Sequence, residues 1–575
     1  MSINLLQPTE SSTLDKALET VKELSQRRIV RVVSLIILGL AVVSLLAGAL
    51  YRGFQTVVPG SPSAAGESES VQLLWDWVNL LLILLVLAIS ALWFNWMMRK
   101  REREGESPRA LAEQKIASEQ LQETSLEAYL DRMTRLLLDK ELLTSKPTDA
   151  VLVIARAYTL AVLRKLDGTR KGTLLRFLHD LGLLGREVTL ELGGADLSHA
   201  DLACAILSDT NLSGLDLRQA SLWRADLTRG NLSRTNLSRA DLRGANMSQI
   251  NLAGANLGGS TLHATNMKDG NLSEADLSGA NMGQADLSGA DLTHANLNRA
   301  YMKKANLRKA DLRWSRLLEA TMYQADLTEA VLVEADLCGA QLIEANLQQA
   351  NMSRADLRGS DLSRAQLNGV RLDGATLNEA NLTGATLTGA NLEMCSLRKA
   401  NLHKAVLDET ILSEATLTRA DLSEADLQQA DLSLADLTEA NLFDAELNKA
   451  NLSAAVLHGA DLSRARLGMA DLTGADMSYA DLHKASLRRA QMDKVNLRGA
   501  NLQEADLIGA SLDGVNLEES DLRGAMITPE QLAQAASIES AVLPDGSIEG
   551  EEQKEPEPAP APLAQSSVVH YNRAV

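Results

Sequence analysis

The residue types that do chemistry are present in this chain, but in no pattern that does it. Six of its eight histidines, His199, His263, His294, His403, His458 and His483, are scattered through the second half of a five-residue pattern. His403 and His483 share a register yet stand 80 residues apart, too far to share one metal ion. Cys204, Cys338 and Cys395 are widely separated and form no Cys-x-x-Cys, so neither a disulfide framework nor a cysteine zinc site is encoded. Gly168-Thr169-Arg170-Lys171-Gly172 has the glycines and cations of a phosphate loop, but it lacks the Gly-Lys-Ser/Thr order that such a loop needs. No His-Glu-x-x-His, Gly-x-Ser-x-Gly or dinucleotide fingerprint occurs. Asp131, Asp139, Asp167 and His179 have no nucleophile beside them and read as helix-surface or capping residues. No catalytic, cofactor-binding or metal residue is assigned, and the chain is not expected to be an enzyme.

Two cation clusters are candidates for binding. Arg164, Lys165, Arg170, Lys171 and Arg176 fall within a short helical span. They could meet anionic lipid headgroups, or they could be a solvated helix face. Arg299, Lys303, Lys304, Arg308, Lys309, Arg313 and Arg316 form a basic band, a possible partner surface, whereas 408–446 is strongly acidic. The whole chain carries 56 Lys and Arg against 75 Asp and Glu, a formal charge of −19. That balance disfavours a nucleic-acid binder. Asn-Leu-Ser and Asn-Leu-Thr at Asn211, Asn231 and Asn381 match a glycosylation acceptor only because the repeat generates them.

What must position these groups is a repeat. From Leu192 to Leu522 every fifth residue is Leu or Met, 67 positions without a break. Two residues earlier there is usually a small residue, as at Ala195, Ala200 and Ala220; just before the Leu comes mostly Asp or Asn, as at Asp196 and Asn211. A period of five fits neither helix nor strand. It fits a chain that turns a corner every five residues and points two side chains inward per side. Asp or Asn suits the turn through hydrogen bonds to nearby amides, and the two variable residues face water. Aromatics at 3% leave Leu and Ala to build the core.

Ala275-Asp276-Leu277-Ser278-Gly279 and its copies resemble the pentapeptide-repeat family. The resemblance implies a mainly β solenoid, a right-handed quadrilateral β-helix with four pentapeptides per coil. It would have about 17 coils and be roughly 80 Å long at the sheet spacing. One subset of the family binds DNA gyrase with an acidic rod that mimics DNA. Here the outward series Arg224, Gly244, Ala264, Gln284, Lys304, Gln324, Glu344 is mixed in sign.

Two apolar runs precede the repeats, 32–50 and 77–98, each about the length of a membrane-crossing helix. Arg27, Arg28 and Arg31 precede the first, and Arg99, Lys100, Arg101 and Arg103 follow the second. A transmembrane hairpin with both termini cytoplasmic is therefore expected, in a bacterial plasma membrane, or a thylakoid membrane if the source is cyanobacterial. Ala47-Gly48-Ala49 imitates a signal-peptide cleavage site, but the acidic segment before it is long for that role.

Residues 107–182 are helical in pattern. Thr124 with Glu127 makes a capping box, Pro147 opens a second helix running to Leu166 with Gly168 past its end, and a third carries Leu174, Leu175, Phe177 and Leu178 and ends near Gly182. This stretch resembles the module that precedes the repeats in bacterial membrane-anchored pentapeptide-repeat proteins. Thr528-Pro529-Glu530-Gln531 starts a helix that closes the rod, and the acidic, Pro-rich tail beyond Gly550 is expected to be disordered.

The expected organisation is a cytoplasmic segment 1–31, a membrane hairpin 32–98, a helical module 99–187, a β-helix 188–527, a capping helix and turn 528–549 and a tail 550–575. The expected function is a membrane-anchored scaffold with protein partners, no cofactor, no nucleic acid and no small-molecule substrate. A gyrase-directed mimic and a non-catalytic subunit or regulator of a membrane enzyme complex are the alternatives.

Overall fold

The computed structural model describes residues 67–549 except 140–141, 147–148 and 186–189. Within its first helix the side chains of 67–76, 78, 79, 81–83, 86 and 101–111 are outside that description. The expected segment 1–31, the apolar run 32–50 and the tail 550–575 lie outside the described residues.

The five-residue pattern is a solenoid. From Asp196 to Asp506 each residue before a core Leu or Met bridges in parallel to the residue twenty positions on, as Asp196 to Asp216 and Asp201 to Ser221. Leu197 donates its amide to the Asp216 carbonyl at 2.8 Å, and the Asp216 amide returns to Ala195 at 3.1 Å. Leu197 and Ala195 are buried, the two inward side chains of one side of the coil. The chain then turns, and the Ala200 amide closes on the Leu197 carbonyl at 3.0 Å. Inside that turn Asp196 Oδ1 accepts from the Ser198 amide at 3.0 Å, the role expected of Asp or Asn. Each coil thus satisfies its backbone groups on its two neighbours, which is why one coil alone could not fold.

The variable positions are not equivalent. The second one lies in the left-handed region at corner after corner, as at His199 (φ 59), Arg224 (φ 53), Glu344 (φ 56) and Lys449 (φ 62). No Val, Ile or Thr stands among these non-glycine positive-φ residues. A β-branched side chain there would press on its own backbone. The core also tolerates oversize by compensation. Ile250 takes a position usually held by Ala, with Gly270 one coil on; a Cβ at Gly270 would come 3.3 Å from Ile250 Cγ2.

Helix α1 spans Glu67–Asp139, α2 Ala150–Leu163 and α3 Gly168–Asp180, with a 3-10 turn at Leu142–Thr144. Three expectations need correction. The helix expected over 77–98 does not end near residue 98, because α1 continues through that run to Asp139. Thr124 opens no helix; it is mid-helix and turns its hydroxyl back to the Gln120 carbonyl at 2.9 Å. Gly168 does not terminate α2 but begins α3, with Asp167 capping it through the Arg170 amide at 2.9 Å. Among the described residues no helix is long and apolar enough to cross a membrane. The side chains of six residues of the 77–98 run, Leu81, Leu82 and Ile83 among them, are outside the description.

At the far end α4 is a single turn, Pro529–Leu532, rather than a longer capping helix. Thr528 and Gln531 cap each other reciprocally. The chain beyond α4 returns to the rod and adds a last coil one residue out of register: Asn516 bridges Ser537 and Asp521 bridges Val542.

Candidate interaction surfaces

The helical module closes the first coil, and the glycines of Gly168-Thr169-Arg170-Lys171-Gly172 explain how. A Cβ on Gly168 would sit 2.0 Å from the His199 carbonyl oxygen, and one on Gly172 1.9 Å from that of Asp201. Only glycine lets α3 come this close. The Gly168 carbonyl then accepts the Asp201 amide at 2.8 Å, and the Leu184 carbonyl accepts Asn211 at 2.8 Å. These are first-coil amides with no earlier coil to serve them.

The first cation cluster is divided by this docking. Lys171 is buried; its Nζ donates to the Ser198 carbonyl at 3.2 Å and lies 3.4 Å from Asp196 Oδ1. Arg176 Nη2 donates to the Ala203 carbonyl at 3.0 Å. Arg170 pairs with Glu123 at 2.8 Å and with Asp167. Arg164 and Lys165 are exposed at the end of α2. Three of the five cations are therefore structural, a role that sequence spacing alone did not distinguish. The hydrogen bond from Ser198, aided by its amide and Lys171, holds the Asp196 carboxyl below the ordinary range.

Four of the seven cations of the basic band are paired with carboxylates on the rod. Arg299 pairs with Glu319 at 2.8 Å, Arg308 with Asp326 at 3.3 Å, Lys309 with Glu329 at 3.4 Å and Arg313 with Asp311 at 2.6 Å. Lys303 lies over the Tyr323 ring. Lys304 and Arg316 make no ion pair among the described residues. Pairs between neighbouring coils recur elsewhere, as Lys404–Glu424 and Lys484–Glu504. Asn side chains also donate to Asp one coil back, as Asn441 Nδ2 to Asp421 and Asn451 Nδ2 to Asp431, both at 2.9 Å.

The histidines serve the same surface. His294 stacks on Trp314 with ring centroids 5.0 Å apart, and Trp314 Nε1 donates to Glu334 at 3.0 Å. His403 Nδ1 and His458 Nδ1 each lie 2.9 Å from a serine hydroxyl one coil on. The Ser423 hydroxyl donates to Asp421, so it is no nucleophile poised beside a base. Burial pushes the Cys395 thiol up to about 12, and its Sγ donates to the Leu372 carbonyl. No group of three metal-ligating side chains occurs among the described residues.

A solenoid of twenty-residue coils, with small and large apolar residues inside and left-handed corners outside, defines a five-residue-repeat β-helix. The family model of pentapeptide repeats matches in overlapping stretches from residue 191 to residue 528, and the chain belongs to that family. It is 32% identical to HetL, a pentapeptide repeat protein of the cyanobacterium Nostoc involved in heterocyst differentiation regulation. That match covers 46% of this chain and 92% of HetL with a TM-score of 0.15. QnrB1, a plasmid-mediated fluoroquinolone resistance protein, is 20% identical over 30% of this chain and 80% of its own, with a TM-score of 0.22. A pentapeptide repeat protein of the Arabidopsis thaliana thylakoid lumen is 32% identical over 20% of this chain and 68% of its own, with a TM-score of 0.16. No curated protein matches the sequence.

Proposed function

We propose that this protein is a membrane-tethered, non-catalytic scaffold whose rod presents outward side chains to protein partners. The observation that carries the tether is in α1. Trp77, Leu80, Leu84, Leu85, Leu87, Ile89, Leu92, Trp93 and Phe94 are all exposed large hydrophobics, so nothing among the described residues covers them. A bilayer would cover such a surface on every side. Trp77, Trp93 and Trp96 stand at its two ends, where aromatic residues prefer the interface, and the cations from Arg99 onward favour a cytoplasmic rod. The scaffold half of the reading rests on the corners, where side chains vary while the Leu positions do not. A gyrase-directed mimic is less favoured, because charges of both signs pair from coil to coil along the rod rather than forming a uniform acidic stripe.

Carbonate washing of membranes tests the tether. The full chain should stay in the pellet, and a chain starting at residue 114 should leave it. A full chain released by the wash would reject anchoring. Capture of partners from solubilised membranes separates the scaffold from the mimic: recovery of gyrase subunits would favour mimicry.

A further inference from the structure

We propose that the outer face of α2 is the interface between two copies of this chain, packed antiparallel about Ala157. The helix AVLVIARAYTLAVL contains one charged residue, Arg156. Leu152, Ala155, Thr159 and Leu163 face the module's core. At 100° per residue, the opposite face carries Ala150, Ile154, Ala157 and Ala161, with Val153 on its flank; all five are exposed. Val153 is 57% and Ile154 45% exposed. A helix apolar on both faces is ordinarily buried on both, so this face lacks a partner among the described residues.

Its charges say which partner. No charged residue interrupts the outer face between Asp149 at one end and Arg164 and Lys165 at the other, and all three are exposed. Asp149 holds the Lys146 amide at 2.7 Å but makes no cap bond into α2. Asp149 and Arg164 lie at equal distances either side of Ala157, to within one residue. A second α2 running antiparallel across the first therefore sets Arg164 of each copy against Asp149 of the other. Such a two-fold contact uses the same patch twice, opposes the two helix dipoles, and lets the helices approach closely over Ala150, Ala157 and Ala161. A parallel pair would put like charges together at both ends.

The test is a cysteine scan in the full chain, with Cys204→Ser and Cys338→Ser as background and mild oxidation applied to unfractionated lysate. Single substitutions Ala150→Cys, Ala157→Cys and Ala161→Cys are compared with Thr173→Cys on the exposed side of α3. The antiparallel pair predicts a disulfide dimer strongest at Ala157→Cys, where a residue meets its own copy, and at least several-fold weaker at Ala150→Cys. Arg164→Glu should reduce the Ala157→Cys dimer several-fold. Equal yields at all three α2 positions would mean a parallel pair. Yields no higher than at Thr173→Cys would mean that lipid or another protein covers this face. Either result overturns the proposal.

Discussion

The ammonium group of Lys171 sits 3.2 Å from the carbonyl oxygen of Ser198, joining the last helix of the module to the first coil of the rod. Because Lys171 is buried, that charge has no water to fall back on. Lys171→Met should loosen the junction by about 1–3 kcal/mol through the unpaired carbonyl and lost ion pair. Hydrogen exchange at the Asp201 amide, which bonds the Gly168 carbonyl at 2.8 Å, is the local measurement. Faster exchange there, with unchanged exchange beyond residue 300, is the expected outcome.

Gly172→Ala acts at the same place by collision. The new methyl would lie 1.9 Å from the Asp201 carbonyl oxygen, a backbone atom that cannot swing away. A loss of roughly 1–3 kcal/mol is expected, read as new protease cleavage between α3 and the first coils. Thr173→Ala, on an exposed position of the same helix, should leave the cleavage pattern unchanged.

The left-handed corner gives a sharper chemical test. Lys449 has φ 62, where a β-branched residue is strained. Lys449→Val should destabilise the neighbouring coils by about 1–2 kcal/mol, whereas Lys449→Asn should be nearly neutral. Thermal unfolding of the two variants in parallel checks the order.

The junction should weaken in acid. The Ser198 hydroxyl, its amide and Lys171 hold the Asp196 carboxyl below the ordinary carboxylate range. A carboxyl lowered on folding contributes stability above its unfolded range and loses it as pH falls through that range to the folded value. Asp201 exchange should therefore accelerate on acidification through the carboxylate range, and Asp196→Asn should flatten that dependence.

The rod was legible because its signal is periodic and apolar. Each Leu of the series from Leu197 to Leu522, and each Ala such as Ala195, is buried where spacing placed it. The left-handed corner was also written in the sequence, as the avoidance of Val, Ile and Thr at the second variable position, but that signal is an omission and easy to overlook. The cations were not legible. Arg164 and Lys171 look alike in one dimension, yet one is exposed and the other is sealed under the first coil. That difference arises only when Gly168 and Gly172 bring α3 onto the rod. The C-terminal closure was half legible. The Thr528–Gln531 capping box is visible as a motif, but the Gln531 amide also donates to Leu507 and Ala510 at 2.7 and 2.9 Å, contacts between residues more than twenty apart.

The fifth-residue Leu points inward, in coils that support only their neighbours. The direct measurement is limited proteolysis of the full chain carrying Leu427→Lys, compared with Gln429→Lys. Leu427 is buried and Gln429 is exposed in the same repeat. An unpaired charge in that core is far costlier than the about 2–5 kcal/mol of a Leu-to-Ala cavity. New cleavage confined to a few coils around residue 427, with both ends of the rod intact and Gln429→Lys unchanged, is the predicted result. Equal resistance of the two variants would contradict the inward assignment, and loss of the whole rod at once would contradict nearest-neighbour support.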